Sequence, residues 1–233
     1  MKLYGSLTSP YVRKVRVLIR EKNLPVEFVV AGPGDPGSPV PALNPLGKVP
    51  VLALDGETAD APHQMTGRTS EARRASVSAR GPLLDPIGDT LFDSPVIVEY
   101  LDTLASPPLL AASGAARWEM LRWEALADGI LDATVARVME TRRPAAQQSA
   151  PEIARQEEKI ARALDYAERR LKDGPWLVPE RLSVADLALG VALEYIDFRY
   201  PHDWRARCPQ LAAWHMKIIQ RPSFASTRAP DMK

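Results

Sequence analysis

The chain has 233 residues, 45% of them hydrophobic and 25% charged, with a formal net charge of +1 at pH 7. This is an ordinary globular composition, and a charge so close to neutral argues against a partner such as nucleic acid or an anionic membrane. The single cysteine, Cys208, excludes an internal disulfide. Without a signal-peptide pattern or a long apolar span, we expect a cytoplasmic protein.

The first hundred residues alternate strand and helix signals. Residues 2–5 predict a short strand, and 10–22 carry apolar side chains at roughly helical spacing. Residues 26–30 are rich in β-branched side chains and predict a buried strand. A strand, a helix and a second strand imply a parallel pair joined by a right-handed crossover.

A hairpin and a further helix are predicted next. Residues 51–54 predict a third strand, which ends at an Asp-Gly pair typical of a hairpin turn, and 90–92 are its natural partner. The Asp-Ser-Pro sequence at 93–95 then combines a helix cap with a proline, which predicts a helix over 96–104.

The segment 57–89 interrupts this hairpin. It is polar and lacks an apolar period, and we interpret it as an insertion at the hairpin tip, where added length costs little closure entropy. Ser76, which follows Arg73, Arg74 and Ala75, would suit a partner-binding or phosphorylation loop. A disordered insertion or a locally aberrant reading frame explains the same composition, and we expect one of these.

The remainder of the chain is predicted to be helical. The predicted helices cover 114–142, 151–171, 183–198 and 209–220, and the third is apolar nearly all round, which is typical of the buried centre of a bundle. An α/β half followed by an all-helical half predicts two domains. Their predicted bounds are 1–104, with 57–89 as the insertion, then a linker at 105–116, and 117–227.

The start of the first helix places hydroxyl groups where an anion is favoured. Ser9 suits the N-cap and Pro10 the first helical position. The positive end of the helix dipole there stabilises a thiolate or another anion. Ser9 is therefore the candidate to stabilise a thiolate, Thr8 is the rival hydroxyl, and a plain N-cap role explains Ser9 equally well.

Two other segments are suited to a small peptide ligand. The hydroxyl of Ser94 and the amides that follow it can hold a carboxylate, and Asp93 can pair with an ammonium, although both residues also make a simple helix cap. If the bond between Val49 and Pro50 is cis, the Val49 backbone is turned outward as a free edge for an extended peptide. Lys48 can hold a carboxylate or remain a solvated loop charge.

Four segments together resemble the bacterial cytosolic glutathione S-transferases that carry serine at the thiol position. They are TSPYVRKVR at 8–16, NPLGKVPVL at 44–52, DSPVIVEYL at 93–101 and SVAD at 183–186. The resemblance covers 1–54 and 90–224. It implies a thioredoxin-like N-terminal domain followed by a helical-bundle C-terminal domain, usually as a homodimer, with a cis peptide bond before Pro50.

The resemblance also implies a function, the conjugation of the glutathione thiolate to small electrophiles in detoxification. The candidate glutathione-binding residues are Ser9, Lys48, Val49, Pro50, Asp93 and Ser94, with Ser9 as the catalytic group. A serine at position 9 argues against an activity in thiol–disulfide exchange. A non-catalytic binding or regulatory module of the same fold, and a glutathione-dependent peroxidase or dehalogenase, are the alternatives.

The sequence defines the electrophile pocket less clearly than the glutathione-binding site. Tyr11, Trp118 and Trp123 are candidates, although tryptophans at helical spacing are more often core residues. Glutathione is the expected co-substrate. We expect no metal, because the three histidines and the single cysteine share no ligand spacing.

Overall fold

The computed structural model describes residues 1–54, 90–171, 174–178 and 180–232. Its first half contains four strands and three helices in these ranges: β1 (Lys2–Gly5), α1 (Pro10–Glu21), β2 (Glu27–Val30), α2 (Val40–Leu43), β3 (Val51–Ala53), β4 (Thr90–Leu91) and α3 (Ser94–Asp102). The predicted insertion at 57–89 and the predicted Asp-Gly turn before it lie outside the described residues.

The four strands form one mixed sheet in the order β2-β1-β3-β4. Leu3 of β1 lies opposite Phe28 in the parallel pair with β2 and opposite Leu52 in the antiparallel pair with β3. β3 and β4 are also antiparallel. The predicted parallel crossover and the pairing of the third and fourth strands are therefore confirmed.

The prediction that β2 is a buried strand was wrong. β2 lies at the edge of the sheet, and Val30 is 62% exposed. β-branched residues favour any extended backbone. Composition alone therefore does not distinguish an edge strand from a central one.

The second half is helical. Its elements are α4 (Gly114–Thr141), a 3-10 turn (Ala145–Gln147), α5 (Ala150–Arg170), α6 (Val184–Arg199), α7 (Trp204–Arg207), α8 (Pro209–Ile218) and α9 (Pro222–Ala225). The four long helices agree with the predicted ones to within about two residues, the usual uncertainty of a helix end. The short helices α2, α7 and α9 escaped prediction because four residues carry no measurable helical period.

Helix α6 is the centre of the bundle, as its sequence predicts. All side chains from 184 to 196 are buried, and the helix packs against both α4 and α1. Ser183 and Asp186 form a capping box at its start. The Asp186 carboxylate also accepts a hydrogen bond of 2.8 Å from the backbone N–H of Leu177.

Buried ion pairs join the sheet half to the helical half through α1. Lys14 is 1% exposed, and its ammonium contacts Glu124 at 3.1 Å and Asp128 at 2.8 Å, both on α4. Arg13 pairs with Glu194 on α6 at 2.5 Å. These contacts fix the α1 N-terminus against α4 and α6, whereas the predicted domain boundaries at 104 and 117 remain a prediction.

Candidate functional site

A cavity of about 580 Å³ lies between the sheet half and helices α4 and α6. Six of the residues proposed from the sequence line it: Ser9, Tyr11, Lys48, Val49, Pro50 and Asp93. Thr8 lines it as well, so the rival hydroxyl is also within the site. Residues far apart in the chain thus meet where the sheet half faces α4 and α6.

Ser9 is the N-cap of α1. Its backbone is extended, with φ −75° and ψ 124°, and its hydroxyl accepts a 3.4 Å hydrogen bond from the backbone N–H of Val12. This bond uses an oxygen lone pair and leaves the hydroxyl hydrogen available. Ser9 can therefore donate to an anion in the cavity while it caps the helix.

The loop before β3 is held in shape by a buried asparagine. Asn44, 2% exposed, donates from Nδ2 to the carbonyl oxygen of Lys48 and accepts from the N–H of Leu46, each at 2.9 Å. The Val49–Pro50 peptide bond is cis, as the resemblance implies. Within the described residues, the Val49 backbone has no backbone hydrogen bond, so its N–H and C=O remain available to a ligand.

The start of α3 supplies the next two groups. Asp93 is the N-cap, and its carboxylate accepts a hydrogen bond from the N–H of Ser94. Asp93 is exposed to the cavity, whereas Ser94 is 1% exposed. The Ser94 hydroxyl has no hydrogen-bond partner among the described residues. A buried hydroxyl without a partner is costly, and a ligand that supplies one is stabilised there.

Tyr11 lines the cavity and donates a hydrogen bond to Asp132 on α4. Burial raises the pKa of the Tyr11 hydroxyl, and the hydrogen bond and negative charge of Asp132 raise it further. Tyr11 therefore stays protonated at neutral pH, with its hydrogen directed to Asp132.

The two tryptophans proposed for the electrophile pocket do not line this cavity, so that interpretation is corrected. Trp123 is 2% exposed and packs edge to face against Tyr166 in the core. Trp118 is 69% exposed at the start of α4. A regular apolar period marks the buried face of a helix, which explains Trp123.

Sequence reasoning missed the part of the cavity that α4 and α6 form. Asp132, Val135, Ala136 and Met139 share one face of α4, and the C-cap residue Arg142 continues it. Val135, Ala136 and Met139 follow Asp132 by three, four and seven residues, and this spacing along one helix face was the signal available in the sequence. On α6, Tyr195 and Arg199 lie one turn apart and complete the wall.

Within the described ranges, no group of three or more histidine, cysteine, aspartate or glutamate residues is arranged to hold a metal ion. None of the helices in those ranges is long and apolar enough to cross a membrane.

The sequence is similar to known proteins along both halves. Residues 3–67 match the family model of the glutathione S-transferase N-terminal domain, and residues 150–215 match that of the C-terminal domain. The chain is 37% identical to YibF of Escherichia coli, which is described as an uncharacterized GST-like protein, over 99% of each chain.

Two solved structures with a bound tripeptide are similar to this chain. One is a glutathione S-transferase from Methylobacillus flagellatus with glutathione bound, with 39% identity and a TM-score of 0.80 over 97% of this chain and 98% of that one. The other is a Pseudomonas fluorescens family member with bound S-(propanoic acid)-glutathione, with 35% identity and a TM-score of 0.75 over 99% and 100%.

A thioredoxin-like sheet half followed by a helical half, with a cavity between them, defines a two-part protein with the fold of the glutathione transferases. The chain belongs to the glutathione S-transferase family.

Proposed function

We propose that the protein is a glutathione transferase, which binds glutathione in the cavity and directs its thiolate at a small electrophile. The observation that carries the proposal is the Ser9 hydroxyl at the start of α1, in the same cavity as Val49 and Asp93. Glutathione and an S-substituted glutathione occupy the two similar structures.

Each end of glutathione has a suitable group in this proposal. Ser94 and the N-terminus of α3 hold the γ-glutamyl carboxylate, and Asp93 pairs with the α-ammonium. The free Val49 backbone pairs with the cysteinyl backbone as an added strand would. Lys48, which is exposed in the cavity lining, reaches the glycine carboxylate.

Catalysis follows from a lowered thiol pKa. A free cysteine thiol has a pKa of about 8.5, so only a small fraction is thiolate at neutral pH. A hydrogen bond from Ser9 and the positive end of α1 stabilise the thiolate and raise that fraction. The sulfur then bonds to an electrophilic carbon, and the leaving group departs with its electron pair. Holding the two reactants together supplies further acceleration.

Two assays test the proposal. Isothermal titration calorimetry measures glutathione binding, and 1-chloro-2,4-dinitrobenzene measures conjugation through release of chloride. We expect both to be positive. Binding without turnover would support the non-catalytic alternative, and turnover of a peroxide or haloalkane alone would support the peroxidase or dehalogenase alternative. Absence of glutathione binding would refute the whole proposal.

We further propose a homodimer that acts in cytoplasmic detoxification. On the helical half, Trp118 is 69% exposed, and Val96 on α3 is 49% exposed. A salt bridge of 2.7 Å between Arg117 and Glu99 joins the start of α4 to α3. Large exposed apolar side chains suit an interface, and a second copy of the chain is the partner that the family resemblance implies.

A further inference from the structure

Two arginines lie at the end of the cavity whose wall α4 and α6 form. Arg142 is the C-cap residue of α4, and Arg199 lies in the last turn of α6. Both line the cavity. Both arginines also act on one shared neighbour: burial raises the pKa of Tyr195, whereas the charge of Arg199, a hydrogen bond with Arg199 and the charge of Arg142 oppose that rise.

Neither arginine forms a salt bridge with a carboxylate of the described residues, unlike other arginines nearby. Arg143, adjacent to Arg142, pairs with Glu140 at 3.2 Å. Arg205 pairs with Asp197 at 2.6 Å. The Nε atom of Arg199 is buried and has no hydrogen-bond partner among the described residues. The guanidinium stacks on the Phe198 ring, 3.8 Å from its centroid, which restricts its orientation.

Among the described cavity-lining residues, Asp132 is the one carboxylate on α4, and it lies far from Arg142. Asp132 accepts the hydrogen bond of Tyr11 and lies ten residues before Arg142. At about 1.5 Å per residue this is roughly 15 Å along the helix, beyond the Debye length of about 8 Å at physiological salt. Arg142 and Arg199 thus bring positive charge to this end of the cavity, beside an apolar wall at Val135, Ala136 and Met139.

The distance to the proposed sulfur position suits a small substrate. Tyr195 lines a small neighbouring pocket together with Ser9 and Pro10, and Arg199 follows Tyr195 by one helical turn, about 6 Å along the axis. A group attached to the electrophilic carbon can thus extend from the sulfur along the apolar wall toward Arg199.

Given the proposed function, we infer that Arg199, assisted by Arg142, binds a carboxylate carried by the electrophile, so that the preferred substrates are small anionic electrophiles. The planar guanidinium fork matches a carboxylate. Binding the charge at this end orients the electrophilic carbon toward the sulfur. The two arginines are specificity determinants and take no part in bond making.

The first test uses two product analogues that differ only in charge, S-(2-carboxyethyl)glutathione and its primary amide. Calorimetry should show that the wild-type protein binds the acid about fivefold more tightly than the amide, since an exposed ion pair contributes modestly. In Arg199→Gln this ratio should fall toward one, and in Arg142→Gln it should fall in part. Arg199→Lys, which keeps the charge without the fork, should retain part of it.

Arg143→Gln is the matched control, because it removes the same charge one residue away from the cavity lining. It should keep the wild-type ratio. Binding of unmodified glutathione by each variant shows that the variant is folded. Equal affinities in the wild-type protein, or a preference that survives in the Arg142→Gln/Arg199→Gln double variant, would overturn the inference.

The second test measures turnover of 4-chloro-3-nitrobenzoate and 4-chloro-3-nitrobenzamide. In both, the sulfur bonds to the ring carbon that bears chlorine, and chloride leaves with the bonding pair. After division by the uncatalysed rates, kcat/KM should favour the benzoate in the wild-type protein and lose that preference in Arg199→Gln. Glutathione binding and amide turnover without a benzoate preference would refute only this inference. Loss of all glutathione binding would refute the proposed function as well.

Discussion

Lys14 on α1 and Asp128 on α4 approach to 2.8 Å, between Nζ and Oδ1, in the contact of the two halves. Burial raises the pKa of the Asp128 carboxyl, and the ammonium of Lys14 opposes that rise. The charge of Asp93, at the candidate glutathione site, also raises it. The ion pair that joins the halves is thus electrostatically linked to the ligand site.

Substituting Lys14 should destabilise the protein strongly. Lys14→Met leaves Asp128 and the buried Glu124 without their cation, and we expect the free energy of unfolding to fall by about 3–5 kcal/mol. Urea denaturation followed by circular dichroism measures this. Lys2→Met is the control, because Lys2 meets Glu27 only at 3.9 Å with both side chains at least half exposed. A Lys14→Met protein as stable as the Lys2→Met protein would contradict the account.

The capping box of α6 gives a second stability prediction. In Asp186→Ala, the N–H groups of Leu177 and Ser183 lose their acceptor inside the protein. The expected loss is about 2–4 kcal/mol, compared with about 1 kcal/mol for an exposed cap. Asp203→Ala, which removes an exposed N-cap bond of 3.1 Å to Ala206, is the matched comparison. Equal losses in the two variants would refute the role given to Asp186.

Burial of His215 predicts a pH dependence of stability. Burial lowers its pKa to about 4, against the opposing charge of Asp197. An unfolded histidine has a pKa of about 6.5, so between these values the unfolded chain binds more protons. The contribution of His215 to the free energy of unfolding is fully present above about pH 6.5. It is lost as the pH falls toward 4, by about 3 kcal/mol in total.

Urea denaturation at several pH values in this window measures the slope. His215→Gln should flatten the slope whatever its effect on absolute stability, and the half-buried His202 provides the control variant His202→Gln. A slope unchanged by His215→Gln would show that other groups cause it.

The proposed homodimer predicts an effect of Trp118. Trp118→Ser removes a 69% exposed aromatic side chain from the proposed interface and should shift the assembly toward monomer, as sedimentation velocity measures. Met216→Ser, which changes a 60% exposed side chain on α8, should not. A wild-type protein that is monomeric at all concentrations would rule the dimer out.

Local signals in the sequence were sufficient for most of the fold. A cap followed by proline at Ser9-Pro10 and at 93–95, and the apolar periods of the long helices, predict these elements because capping and burial are decided within a few residues. The edge position of β2 was not predictable in this way, since strand order depends on long-range pairing.

The residues of the candidate site also fall into those that local signals predict and those that depend on long-range packing. The residues on the sheet half follow from local caps and turns, and all of them except the buried Ser94 line one cavity, although their roles remain proposals. Asp132, Arg142 and Arg199 depend on how α4 and α6 pack against α1, which no local pattern determines. Trp118 and Trp123 were proposed as aromatic residues of the electrophile pocket. In the structure Trp123 packs in the core and Trp118 lies on the surface.

The central claim is that the Ser9 hydroxyl stabilises the glutathione thiolate, and the most direct test is the thiol pKa of bound glutathione. Titration of the thiolate ultraviolet absorbance should give a value near 7 in the wild-type complex. It should rise by about one unit or more in Ser9→Ala, the loss of one charge-assisted hydrogen bond, and stay unchanged in Thr8→Ala. An unchanged pKa in Ser9→Ala together with a raised pKa in Thr8→Ala would contradict the claim.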